Sequence, residues 1–290
     1  MVSQHLQYLS ESYGADDGRG VTWPGELEES ITPFARGRSA ITHDELTRFV
    51  NEESDLGMDA LKEHYDTALR TALSGDESAM GVAGFLLAKH VPALSCVYIR
   101  GVDEVSHRFW IYEHEETLPP HDPQRPTTVL LKKQAQALGG LVREYYRYTD
   151  EHVGRLLELY PDETTVLVCS DHGFRGPGVW GEHRPWMGED QHALDGIIIM
   201  NGPGIERGAS IEGATVYDIA PTLLTMAGLP VGEDMSGYPL SGAFTDEFSA
   251  THGKTTIITY GQTVRDDTAP IESPVDEEVR ERLRSLGYIQ

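Results

Sequence analysis

VLVCSDHGF, residues 166–174, is an apolar run, Val166-Leu167-Val168-Cys169, that delivers an Asp and a His side by side into a glycine. A short continuous apolar run of this kind predicts a strand buried on both faces, as in a parallel sheet. Gly173 lets the backbone turn sharply away and leaves Asp171 and His172 pointing into one cleft at the strand's carboxyl end. Carboxylates and neutral imidazoles suit zinc and similar divalent cations. The weight of one Asp-His dipeptide depends on what other strands bring to the same edge.

Two further runs read as strands. ALSCVYIRGVD (93–103) predicts a buried strand flowing into a turn, and Gly196–Met200 predicts another. Three continuous apolar strands separated by helices and long loops predict an α/β fold. Its central sheet is expected to be largely parallel, with helices on both faces. Segments 93–101, 164–170 and 196–201 are expected as parallel neighbours or near-neighbours.

Functional groups gather at the carboxyl ends of strands in such sheets. The first strand exits into Gly101-Val-Asp103-Glu-Val-Ser-His107, the second into Asp171-His172, and the third is preceded by Gln191-His192. Singly, Asp103 and His107 also fit an exposed turn, and His192 fits a satisfied histidine. Taken in order, the five residues Asp103, His107, Asp171, His172 and His192 read as metal ligands.

Helical signals fill the intervals. Thr42-His43-Asp44-Glu45 has capping-box spacing and opens a helix to about Glu52. Apolar spacing predicts a helix from Met58 to Lys89, interrupted near Gly75, and another from Thr128 to Leu159. Thr215 and Asp218 cap a helix over about 217–227, which Gly228 stops; NGPG at 201–204 is turn chemistry. Residues 1–35 read as loop with one short helix near Pro24–Ile31, and a short helix ends the chain. The expected division is 1–92, a helical and loop segment acting as insertion or cap, and 93–290, the catalytic part.

The net charge of −24 excludes a general basic field for nucleic-acid duplexes or anionic membranes. Bound divalent cations would still allow an anionic substrate by inverting the local field. Cys96 and Cys169 sit in apolar runs and are expected as buried thiols, with no disulfide framework. No run of 18 apolar residues and no signal peptide is visible, so a cytoplasmic protein without a membrane span is expected. In the loop 173–190, Trp180, His183, Arg184 and Trp186 have the chemistry to stack on a base or clasp a phosphate, or to pack over the cleft. His114, His121 and His152 lie in polar or helical surroundings and are expected to be solvated.

GVDEVSH, then SDHGF, then QHALDGIIIMNGPGI, then TVYDIAPTLLTMAGLP, resembles the alkaline phosphatase superfamily. The pattern is most similar to the type I phosphodiesterase/nucleotide pyrophosphatase branch, over about residues 93–240. The terminal LRSLGYIQ also resembles a family C-terminus.

That resemblance implies a hydrolase of phosphoric esters with two divalent metal ions, usually zinc, with manganese or magnesium as alternatives. It implies cleavage through a covalent intermediate on Ser or Thr. Asp103, His107 and His192 would hold one ion, and Asp171 and His172 the other. Its substrates would be small-molecule, nucleotide or lipid phosphoesters.

The family's opening section, with a strand ending in Asp and a helix carrying the nucleophile, has no counterpart before Ser95. The chain is therefore expected to be incomplete at its N-terminus and to hold no nucleophile. Ser170 reads as a small residue closing a strand. Sulfatase, phosphomutase and non-catalytic metal-binding remnant are the alternatives within this resemblance, although no C/S-x-P-x-R sulfatase setting occurs.

Overall fold

Helix α1 (Leu27–Ile31) opens the part of the chain that the computed structural model describes, namely residues 22, 24–113, 126–174, 192–252 and 255–261. Two compact units divide it: the described residues up to Tyr160 together with Phe174, and Pro161–Gly173 together with the described residues from His192 onward.

The first unit is helical. After α1 come α2 (His43–Thr47), α3 (Glu63–Lys89), α4 (Gly101–Glu113), α5 (Pro126–Leu138) and α6 (Leu141–Leu157). The capping box that opens α2 forms as its spacing predicts. The Glu45 N–H donates to Thr42 Oγ1 at 3.3 Å, and the Thr42 N–H donates to Glu45 Oε2 at 2.8 Å. The helix ends at Thr47, short of Glu52, because Phe49 and Val50 turn into the core.

Helix α3 runs unbroken through Gly75. The single helix expected over 128–159 is two helices, broken at Gly139. A Cβ there would lie 2.5 Å from the Ala135 carbonyl oxygen and 2.8 Å from that of Tyr112, so only glycine fits the reversal.

Leu141, Val142, Tyr145, Tyr148, His152 and Leu156 form the buried stripe of α6. Its upper part, from Leu141 to Tyr148, joins Phe49, Leu69, Leu73, Val105 and Phe109 in one core, where each fully buried large side chain contributes about 1.5–3 kcal/mol. Arg48 fastens α2 to α6 through Glu144 and Glu151, each at 2.8 Å.

The expected strand at 93–101 is corrected. Residues 94–100 pair with no strand among the described residues. Val97 and Ile99 pack against Met80, Leu87 and Leu156, while Leu94, Cys96 and Tyr98 face outward. Alternation therefore buries one face of the segment on helices, and Cys96 is exposed rather than buried.

The second unit carries the strands. β1 (Val166–Cys169) pairs with β4 (Ile198–Asn201) antiparallel, Val166 opposite Asn201 and Cys169 opposite Ile198. The parallel arrangement expected of these two runs is therefore corrected, and Cys169 too is exposed. Between them, β2 (Gly173–Phe174) pairs with β3 (His192–Ala193). Gly196 permits the close approach, since a Cβ there would strike the Ser170 carbonyl.

After the Gly202 and Gly204 turns, both at positive φ, a capping box of Thr215 and Asp218 leads through a 3-10 turn into α7 (Ile219–Met226). Gly228 at φ +68° stops that helix, as its place in the sequence predicts. The unit ends with β5 (Val231–Gly232), α8 (Asp246–Thr251) and β6 (Thr256–Ile257), where β5 and β6 pair in parallel. The described residues therefore form an α/β chain with small two-stranded sheets in place of the large parallel sheet expected. The short helix expected at the chain's end lies outside the described residues.

Candidate functional site

Asp103 and His107 stand on α4, which begins two residues before Asp103 and not in the turn that the sequence suggests. The start of α4 is set by a carboxylate from another helix. Asp76 Oδ1, midway along α3, accepts the N–H groups of Arg100 at 3.2 Å and Gly101 at 3.1 Å. Those are donors that a helix start leaves without intrahelical partners. Asp76 Oδ2 accepts the Tyr145 hydroxyl of α6 at 2.9 Å. Gly101 is required there, because a Cβ would run into the Tyr145 hydroxyl and the Asp76 carboxylate.

With the helix begun at Gly101, Asp103 falls in its first turn, where a negative charge suits the positive end of the helix dipole. His107 follows four residues later on the same face. Its Nε2 lies 3.4 Å from Asp103 Oδ1, with the His107 side chain 3% exposed and that of Asp103 28%. Two donors bound at about 2.0–2.1 Å to one tetrahedral cation stand about 3.3 Å apart. The observed separation is longer than a tight hydrogen bond and lies close to that spacing. Phe174 stands edge-on to the His107 ring at 5.1 Å and lies 5.5 Å from Trp110, which holds the imidazole plane.

In the second unit, Asp171 and His172 follow β1 directly. His172 Nδ1 lies 3.2 Å from the Gly173 carbonyl oxygen. A proton on Nδ1 donated to that oxygen leaves Nε2 with a free lone pair, the form in which an imidazole can hold a metal. The His172 ring stacks on that of His192 at 4.1 Å and 28°, so β2 and β3 bring two of the five predicted ligands side by side. Asp171 fits less well. Its side chain is 77% exposed, and its Oδ1 lies 3.9 Å from His172 Nε2, so the pair must close by about half an ångström to share a tetrahedral ion.

Ser170 serves the fold, because its Oγ accepts the Ile197 N–H at 3.0 Å and so extends the β1–β4 pairing. Trp180, His183, Arg184 and Trp186, with His114 and His121, lie outside the described residues. His152, expected to be solvated, is buried at 6% exposure. Its Nδ1 lies 2.9 Å from the Tyr148 carbonyl oxygen, and its Nε2 lies 3.4 Å from Glu77. Asp76 and Tyr145 are the residues that sequence reading misses. An acid in the polar run Ser74-Gly75-Asp76-Glu77 reads as helix surface, and only the distant glycine at 101 hints at a close approach.

Among the described residues, no helix is long and apolar enough to cross a membrane. The chain is similar to human (Homo sapiens) arylsulfatase K, with 31% identity over 93 residues, 31% of this chain and 17% of that protein. It is similar to choline-sulfatase of Rhizobium meliloti (strain 1021), with 32% identity over 93 residues, 30% of this chain and 17% of that enzyme. It also resembles the 2,3-bisphosphoglycerate-independent phosphoglycerate mutase of Synechococcus sp. (strain JA-3-3Ab), with 33% identity over 100 residues, 31% of this chain and 18% of that enzyme. The aligned segment thus spans less than a fifth of these curated relatives, all of them members of the alkaline phosphatase superfamily. No solved structure matches the chain significantly. The family model for type I phosphodiesterase/nucleotide pyrophosphatase matches residues 19–177, a span that takes in α1 to α6, the Asp103–His107 pair and Asp171-His172. By that match over more than half its length, the chain belongs to the type I phosphodiesterase/nucleotide pyrophosphatase family.

Proposed function

We propose that this chain is a metal-dependent hydrolase of phosphoric esters, of phosphodiesterase or nucleotide pyrophosphatase type, acting on a small-molecule, nucleotide or lipid phosphoester. The observation that carries the reading is the Asp103–His107 pair, whose 3.4 Å separation on successive turns of α4 is that of two donors to one cation. Asp103, His107, Asp171, His172 and His192 are the proposed donors to two divalent ions, zinc first, with manganese or magnesium as alternatives for this oxygen and nitrogen set. Bound there, the ions supply the positive charge that a phosphoryl group needs in a chain of net charge −24. Trp180, His183 and Arg184 are proposed substrate contacts, and residues 93–290 the catalytic part, with 1–92 as cap or insertion.

The test is release of p-nitrophenol from bis(p-nitrophenyl) phosphate after chelator stripping, before and after Zn²⁺ or Mn²⁺ is restored. The expected result is a metal-dependent rate, slow because none of the described side chains is assigned as nucleophile, and lower still in His107→Ala. A rate indifferent to chelator and to that variant sinks the reading.

A second reading, a sulfuric ester hydrolase, is favoured by the sulfatases among the similar proteins. Sulfate monoesters and phosphodiesters are both singly charged and tetrahedral, so the same ligands serve either. Faster metal-dependent turnover of p-nitrophenyl sulfate than of the phosphodiester would select it.

A further inference from the structure

We infer that Asp76, together with Tyr145, is a positioning residue for the Asp103–His107 pair: one buried carboxylate fixes where α4 begins and which way its ligand-bearing face points. The inference rests on the metal reading given above. It extends that reading to residues on two other helices.

The geometry is specific. Asp76 is 2% exposed and uses both oxygens, one on the N–H groups of Arg100 and Gly101, the other on the Tyr145 hydroxyl. Three elements, α3, the first residue of α4 and the upper half of α6, therefore meet at a single side chain. Gly101 lets the backbone reach it, since any Cβ would occupy the space of the Tyr145 hydroxyl and the carboxylate.

A buried carboxylate is a costly way to cap a helix. Ser, Thr or Asn caps locally without that desolvation. Burial does act against this one, raising the Asp76 carboxyl to about 6 although three donors oppose the shift. What a carboxylate offers over a local cap is two oxygens at fixed separation. They tie the helix start to a distant helix and leave it no freedom to shift by a residue. Asp103 stands two residues beyond this anchor and His107 six, on one rigid helix, so a fault at Gly101 is carried directly to both donors. Metal and catalytic constellations tolerate errors of only about 0.5 Å, which is why supporting residues matter.

The test compares Zn²⁺ affinity of the full chain, by competition with a chromophoric chelator, in wild type, Asp76→Ala, Asp76→Asn, Tyr145→Phe, Leu46→Ala and Asp103→Ala, with folding followed by circular dichroism. Asp76→Ala is expected to weaken binding by about tenfold or more, as loss of a ligand's supporting partner does. Tyr145→Phe is expected to weaken it less. Asp76→Asn keeps an acceptor for the two N–H groups and should restore most of the affinity. Leu46→Ala opens the same core without touching the start of α4 and should leave affinity unchanged below its melting temperature.

A folded Asp76→Ala that binds as wild type overturns the inference, as does Leu46→Ala weakening binding equally. Should Asp76→Ala not fold, wild-type affinity in Tyr145→Phe overturns it. Wild-type affinity in Asp103→Ala is a different failure, that of the metal reading itself.

Discussion

Asp103 Oδ1 and His107 Nε2 face each other at 3.4 Å across one turn of α4, longer than a tight hydrogen bond. On the proposed metal reading, removing either side chain takes away one donor. Asp103→Ala and His107→Ala are each expected to lower Zn²⁺ or Mn²⁺ affinity by at least about tenfold. Asp103→Asn, which keeps the shape and loses the charge, should fall between them and wild type. Isothermal titration of the three variants decides it, and equal affinities throughout would end the assignment.

Glycine positions separate cleanly. Gly101→Ala forces a Cβ against the Tyr145 hydroxyl and Asp76, and should destabilise the chain by roughly 1–3 kcal/mol. Gly154, exposed inside α6 with open space where a Cβ would stand, should respond oppositely: Ala there gains about 0.5–1 kcal/mol of helix propensity. Urea unfolding of both variants checks the contrast.

Asp76 makes stability depend on pH in the direction opposite to most carboxylates. Burial raises its pKa to about 6, so the folded chain holds the proton more tightly than the unfolded one. Its contribution is therefore greatest in acid, declines as pH rises from about 4 to about 6, and is flat above. Asp76→Asn does not titrate. The stability difference between variant and wild type should move in favour of Asn by on the order of 2–3 kcal/mol between pH 4 and pH 7. Groups titrating elsewhere cancel in that difference, and a constant difference would contradict the prediction.

Glu77 and His152 behave in the ordinary sense. The hydrogen bond from His152 holds the Glu77 carboxyl below the usual range, and Glu77 holds the His152 imidazole above its own. The histidine's contribution is complete below about 6.5 and is lost as pH rises through its folded value. The glutamate's is present above about 4.5 and is lost in acid. A double-mutant cycle of His152→Ala and Glu77→Gln should show a coupling on the order of 1 kcal/mol near pH 5.5 that shrinks by pH 8.5. Coupling that grows towards pH 8.5 would rule the pairing out.

Local signals in this sequence translate directly into structure. The Thr42–Glu45 and Thr215–Asp218 boxes, the Gly228 stop and the apolar stripe of α6 are interactions among residues three to four apart, or one period of a helix, and they form as their spacing predicts. The family match to residues 19–177 agrees with the resemblance that the ligand-type residues carry. The break at Gly139 was not legible, because it answers to carbonyls that converge only when α4 and α5 pack.

Sequence by itself determined which residues have metal-binding chemistry, where most helices lie and which family the chain belongs to. Tertiary structure alone decided that Val166–Cys169 pairs antiparallel with Ile198–Asn201, and that 94–100 lies on helices rather than in a sheet. It also decided that Asp76 and His152 are buried and bonded. The physical reason is one of range. Capping, helical period and turn chemistry act within about one turn and are written in spacing. The partner of an extended segment, and the desolvation of a charge, depend on residues tens of positions away, as Gly101 and Tyr145 are from Asp76.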